Sequence, residues 1–240
     1  FANDEDVYKI MASQIYGKPQ EEITKNERFV GKSVILGSGY GMGHEKFKNQ
    51  LAGFNVDIDV EEAKNIIAIY RKTYDHIPAL WRQANRCLDA LHRNQSCQLG
   101  KHPKAIRLDE GGFYLPNGML LTYPQLELDQ EDNYSYISRN SRTKIYGGKV
   151  IENVCQALAR CIISWQMVKI AQKYKIALTV HDSLVCVVKE QEAKQEQEII
   201  EETQEAQEFI ETVMRTSPVW AKGLPLDCES GVGKSYGECG

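Results

Sequence analysis

The period of the hydrophobic pattern changes twice along this chain, and those changes exclude most simple architectures. Residues 6–16 read as a helix, with Asp6 ahead of Val7, Ile10, Met11 and Ile15, closing near Gly17 and Pro19. Thr24 caps a second helix with Glu27 as its capping-box partner, and this helix runs to about Leu36, where Gly37, Gly39, Gly41 and Gly43 interrupt it. Helical spacing returns over 60–76 (Ala63, Ile66, Ile67, Tyr70, Tyr74) behind an Asp59 cap, and Pro78 divides it from a further helix reaching about His92. Between 95 and 146 the helical period is lost. Short β-prone pieces alternate with turn signals there (Gly111-Gly112, Pro116-Asn117-Gly118, Pro124), which predicts one or two hairpins. Residues 148–173 are helical again. Residues 176–188 then give two apolar runs around His181-Asp182-Ser183, a hairpin with a polar tip between buried strands. Residues 190–214 read as an acidic surface helix with a thin stripe of Ile199, Ile200, Phe209, Ile210 and Val213, and the tail is irregular. No internal repeat is visible. Helices with short antiparallel strands make the fold class α+β.

At 240 residues the chain can hold one large domain or two small ones. No apolar run is long enough to cross a bilayer, so no membrane partner is expected. The chain opens at Phe1 in helix-like sequence, without an initiator Met or a signal peptide, and is read as a fragment of a longer protein. Seven cysteines at 87, 97, 155, 161, 186, 228 and 239 match no zinc spacing and no paired framework, so reduced, intracellular thiols are expected. A net charge of −4 argues against a nucleic-acid partner until its distribution is read. Residues 189–211 carry nine Glu against Lys189 and Lys194, a local −7 that leaves +3 elsewhere. Residues 139–149 hold Arg139, Arg142, Lys144 and Lys149 and no acid, which suits either a solvated loop or a phosphate backbone.

Two tempting motifs fail. Residues 229–235 (ESGVGKS) resemble a phosphate loop, but the required first glycine is Cys228 and no strand-then-helix context surrounds it. Gly37-Ser38-Gly39 would need its third dinucleotide-fingerprint glycine at Met42, and it follows a helix instead of opening one.

A better constellation lies on the second helix. Arg28 and Lys32 are four residues apart and share one face; Leu36 and Tyr40 continue the spacing, drifting about 40° per step. Two cations followed by an apolar and an aromatic side chain suit a ligand charged at one end and flat at the other, such as a nucleoside triphosphate. The same spacing also describes a solvated helix face with Tyr40 in the core. Asp182 at a hairpin tip is either a turn former or a metal ligand, and a lone Asp supplies half of what two-metal phosphoryl transfer requires.

In order and separation, these residues resemble the family A (DNA polymerase I-like) DNA polymerases. Arg28-x3-Lys32-x7-Tyr40-Gly41 resembles motif B, the nucleotide-binding helix of the fingers, here residues 24–37. Val180-His181-Asp182 resembles motif C, the palm hairpin that carries a metal-binding aspartate. Gly147-Gly148-Lys149-x2-Glu152-Asn153-x2-Gln156-Ala157 is similar to the palm helix whose Gln meets the minor groove, and residues 214–226 look like the C-terminal segment of phage-type members. The resemblance implies fingers over 1–95, an irregular hairpin connection over 96–146, and the C-terminal part of a palm over 147–240 with its catalytic hairpin at 176–188. It implies primer–template DNA and dNTPs as partners, Mg²⁺ in a two-metal site, and a cytoplasmic bacterial or phage-infected setting. By matched position, Arg28 and Lys32 grip the incoming triphosphate, Tyr40 stacks at the template–nucleotide position, and Gly41 eases close approach. Asp182 coordinates Mg²⁺, and His181 sits near the primer terminus. Gln156 contacts minor-groove acceptors, with Arg139 and Arg142 as further DNA contacts.

Departures accompany the match. Leu36 stands where the family usually has Phe or Tyr, and Leu36→Phe is expected to change incorporation rate or terminator selectivity. Ser183 replaces the usual Glu and is not a metal ligand. Tyr8 occupies the place of a phosphate-contacting His, and Asn117-Gly118-Met119 lacks the Arg of a phage-type Ser-Gly-Arg turn. Motif A, with the second metal-binding Asp, is expected upstream of Phe1, so the isolated 240 residues are expected to show no primer extension. The alternatives are a fragment of a single-subunit RNA polymerase, which shares His-Asp-Ser, and a non-catalytic nucleic-acid-binding remnant.

Overall fold

Local capping starts three of the helices of the first half where short-range chemistry places them. In the computed structural model, which describes residues 3, 5–100, 106–109, 111–188 and 196–239, α1 spans Val7–Tyr16 and opens on Asp6, whose side chain accepts from the N–H groups of Tyr8 and Lys9. Gly17, at φ 65°, closes it. α2 (Lys25–Ser38) carries the expected capping box: Thr24 Oγ1 accepts from Glu27 N, and Glu27 returns a carboxylate oxygen to Thr24 N. α3 (His44–Ala52) follows the glycine cluster, in a segment whose sequence carries no helical expectation. α4 (Val60–Thr73) is capped by Asp59, which accepts from Glu62 N at 2.7 Å. α5 (His76–His92) begins before Pro78. The proline therefore lies inside its first turn, where a missing N–H costs nothing, and does not separate two helices.

α1 to α4 enclose one apolar cluster: Met11, Val30, Val34, Phe47, Leu51, Ile58, Ala63, Ile66, Ile67 and Tyr70 are all buried. Each large side chain taken from water contributes about 1.5–3 kcal/mol. Phe29 and Phe54 meet edge to face at 5.1 Å beside it.

Between 96 and 146 the described residues form more than one or two hairpins. β1 (Cys97–Gln98), β2 (Arg107–Asp109), β3 (Gly112–Tyr114) and β4 (Leu120–Leu121) form one antiparallel sheet in that order. β5 (Glu127–Leu128), β6 (Tyr134–Ser138) and β7 (Ser141–Ile145) form a second. Strands of two or three residues are too short to display a period-2 pattern. The first sheet lies against α5: the Cys87 and Cys97 sulfurs are 3.0 Å apart, and Gln83 donates to Gln98 O.

α6 runs from Gly147 to Ile170. The described residues divide into two compact units, 1–155 and 156–240, and the division falls within α6. In the second unit β8 (Lys175–Val180) and β9 (Ser183–Val187) form the expected hairpin, with Val180 opposite Ser183. Its strands are not buried as the apolar runs imply: Leu178 is 41% exposed and Val187 46%. α7 is Glu196–Met214; residues 190–195 of the expected acidic helix, and the side chain of Ile199, lie outside the described residues. Gln166 Nε2 donates to Met214 O at 2.7 Å and to Thr216 O at 3.3 Å, tying α6 to the end of α7. Arg215 binds Glu211 and Asp227, fastening the tail to the same place. The architecture is α+β. Among the described residues no helix is long and apolar enough to cross a membrane.

Candidate functional site

On α2 the two cations come together as their spacing requires. Arg28 is partly buried and Lys32 exposed, and both lie over the ring of Tyr8 on α1, 5.2 and 5.9 Å from its centroid. Arg28 Nε donates to Asp6 Oδ2 at 2.7 Å. That hydrogen bond, followed by the N–H donors of Lys9 and Tyr8, holds the Asp6 carboxyl below its ordinary 3.8. Such a face presents positive charge beside a flat ring, an arrangement suited to a polyanion.

Leu36 is 54% exposed at the far end of the same helix. Tyr40 is half-buried just past it, and burial, followed by the charges of Cys155 and Glu152, pushes its phenol above 10. It therefore stays a neutral hydroxyl near pH 7. Gly41 follows with φ 88°, in the left-handed region that favours glycine.

The start of α6 packs onto this turn. A Cβ at Gly148 would overlap the carbonyl oxygen of Tyr40, and one at Gly147 would overlap that of Trp81 on α5. Gly147 N donates to Asn85 Oδ1 at 2.5 Å, and Trp81 Nε1 donates to Gly39 O at 3.0 Å. Residues 39–41 are thus held from α5 and α6, within the first unit. One turn into α6, Lys149 and Glu152 pair at 2.7 Å, which raises the Lys149 pKa. Asn153 Nδ2 donates to the buried Tyr123 hydroxyl at 3.2 Å.

In the second unit His181 and Asp182 form the two-residue turn of the β8–β9 hairpin, both exposed, with His181 at φ 54°. A two-residue turn with a left-handed first residue matches the twist of its strands and projects the next side chain from the tip. Asp182 belongs to no group of three or more His, Cys, Asp or Glu side chains able to hold a metal among the described residues. A single exposed carboxylate fits the demand of Mg²⁺, which takes one or two protein carboxylates and completes its shell with water and phosphate oxygens. Gln156 is exposed on α6, and Arg139 is exposed at the β6–β7 turn with φ 57°. Arg142 is engaged within its own sheet, paired with Glu127 at 3.0 Å and donating to Gln125 O and Ser135 O.

Three residues of this neighbourhood escape a motif-by-motif reading. Asp6 is legible as a helix cap but not as the partner of Arg28. Asn85 and Trp81, on an unremarkable amphipathic helix, carry no local mark of their bonds to Gly147 and Gly39.

Comparison with known proteins gives a consistent result. Residues 1–102 match the model of DNA polymerase family A. A DNA polymerase of Bacillus phage SP02 is 26% identical over 246 residues, covering 96% of this chain and 36% of the relative. A DNA polymerase I of Borreliella burgdorferi is 24% identical, covering 99% of this chain and 22% of the relative. The chain therefore spans about a third or less of these relatives' length. The POL domain of Pol1 from M. smegmatis, solved in complex with DNA primer-template and dNTP, shares the fold over 97% of this chain and 34% of its own, with a TM-score of 0.59 and 21% identity.

Proposed function

We propose that this chain is a member of DNA polymerase family A, whose model its residues 1–102 match, and that it takes part in template-directed DNA synthesis, adding deoxynucleotides from dNTPs to a primer 3′-hydroxyl. The observation that carries this reading is the Tyr8–Arg28–Lys32 face, two cations within 6 Å of one ring on α1 and α2, continued by exposed Leu36 and half-buried Tyr40. In it, Arg28 and Lys32 hold the triphosphate and offset the charge that develops on its oxygens during transfer. The Tyr8 hydroxyl adds a phosphate contact. Tyr40 meets the incoming nucleotide or template base. Its backbone is held by the close approach of Gly148, and that of Gly39 beside it by Trp81 Nε1. Leu36 in place of a ring offers the sugar less stacking surface, so Leu36→Phe changes nucleotide selectivity.

Asp182 would hold a divalent ion through its exposed carboxylate, and a bound Mg²⁺ would supply Lewis-acid stabilisation of phosphoryl oxygens. His181 beside it meets the primer terminus. Gln156 touches minor-groove acceptors, which A·T and T·A share and G·C also presents, so the contact senses pair geometry and not sequence. Arg139 adds a backbone-phosphate contact, whereas Arg142 serves its sheet. That the polymerase relatives are named DNA polymerases favours deoxynucleotides over an RNA polymerase reading.

The test is primer extension by the full-length protein with dNTPs or NTPs in Mg²⁺. Template-dependent addition of dNTPs is expected, with Lys32→Ala lowering kcat/KM for dNTP about 10²-fold. Absence of extension, or an unaltered kcat/KM in both Lys32→Ala and Arg28→Ala, would refute the assignment.

A further inference from the structure

Asp6 does two things with one carboxylate. Oδ1 accepts from the N–H groups of Tyr8 and Lys9, both at 3.1 Å, and so caps α1. Oδ2 accepts from Arg28 Nε at 2.7 Å, 22 residues away on α2. The cap fixes the side-chain rotamer of Asp6, and α1 and α2 are themselves in tight register: a Cβ at Gly31 of α2 would overlap the carbonyl oxygen of Tyr8. Arg28 is therefore held at Nε by an anchor that cannot readily swing. Its guanidinium also lies over the Tyr8 ring. A guanidinium is a planar fork; gripping it at Nε leaves the two terminal nitrogens, the edge that binds phosphate in bidentate fashion.

We infer that Asp6 is a positioning residue for nucleotide binding: through Nε it orients Arg28 so that the outer edge of the guanidinium is preset for a triphosphate. The inference rests on the nucleotide-binding reading of the α2 face and adds to it a residue that need not touch the nucleotide. A long side chain ordered before the ligand arrives loses less freedom on binding. The negative charge of Asp6 is already offset by the two backbone donors and the helix N-terminus it caps, so its repulsion of a nearby phosphate is reduced.

Asp6→Asn separates this role from the cap, because Asn is as good an N-cap as Asp but forms no ion pair. In primer extension by the full-length protein, Asp6→Asn is expected to raise the KM for dNTP about three- to tenfold, the cost of ordering one long side chain. The fall in kcat should be smaller than that rise, and the melting temperature unchanged. Arg28→Ala is expected to raise KM further, and adding Asp6→Asn to it should change KM no more. A folding defect, by contrast, would lower the melting temperature in both backgrounds.

An unchanged or lowered KM in Asp6→Asn, with KM raised in Arg28→Ala, would overturn the positioning role and leave the nucleotide site standing. So would an equal KM increase from Asp6→Asn in the presence and absence of Arg28. An unchanged KM in Arg28→Ala would overturn the site itself.

Discussion

The cation-bearing helices and the β8–β9 hairpin solve the same problem, holding a few polar side chains in place, by different means. Arg28 and Lys32 stand on a helix whose other side supplies Val30 and Val34 to a closed apolar cluster, and Asp6 and Tyr8 tie them to a second helix. Asp182 stands on a turn whose strands are half exposed, so the ladder register and the left-handed φ of His181 set its direction. A packed scaffold fixes side chains through many weak contacts, whereas a hairpin fixes its tip through a few backbone bonds. Substitution should therefore separate stability from chemistry cleanly at the tip and less cleanly on the helices.

The sharpest form of that comparison is Asp182→Asn. The side chain is exposed at the turn, so the expected change in unfolding free energy is within about 0.5 kcal/mol. Its expected effect on kcat is about 10³-fold or more, equivalent to the several kcal/mol that metal-assisted charge stabilisation supplies. Primer-extension kinetics paired with a thermal melt checks both halves. A large loss of stability would mean that the carboxylate holds the hairpin instead of serving at its tip.

The reverse separation is expected in the helical region. Ile66, 1% exposed in the cluster, should cost about 2–5 kcal/mol when truncated to Ala. Leu178→Ala on the open face of the hairpin, at 41% exposure, should cost less than about 1 kcal/mol. Chemical denaturation of both variants would break the comparison if the costs came out equal. Gly148→Ala falls between them, at about 1–3 kcal/mol from overpacking against the Tyr40 carbonyl. It should also raise the KM for dNTP, since the strain is delivered to the backbone of a residue proposed to meet the nucleotide.

What the sequence revealed and what it hid divide by range. Asp6, Thr24 with Glu27, and Asp59 were legible as caps because each acts on N–H groups two or three residues away. The β8–β9 turn was legible because polar residues broke two apolar runs. The partners of Arg28 and Tyr40 were not. Asp6 lies 22 residues from Arg28, and Gly148 meets Tyr40 across more than a hundred residues, where no periodicity connects them. Arg142 looked free in a basic run because Glu127, its partner, becomes a neighbour only once β5, β6 and β7 assemble. The motif around Arg28 and Tyr40 was legible because it is local, and the contacts from Asp6, Trp81 and Gly148 that hold it are not.

A last test probes a part of the helical region that lies outside the apolar cluster. Thr24→Ala removes the cap of α2 and should cost about 1 kcal/mol. The capping box also carries a pH signature. A hydrogen bond from Lys18, then those from Thr24, hold the Glu27 carboxyl down at about 2 from its ordinary 4.5. A depressed carboxyl contributes stability that is fully present above the unfolded value and is lost as pH falls through the folded one. The contribution should therefore be complete near pH 6, begin to fade below about 4.5, and be gone below about 2. Glu27→Gln keeps a side chain able to reach the Thr24 N–H but loses the carboxylate that pairs with Lys18. Its stability curve should run parallel to that of the parent below pH 2 and fall beneath it above 4.5. A gap between the two curves that stays constant from pH 2 to 6 would show that the box works through hydrogen bonding alone, with no net part for the Lys18 ion pair.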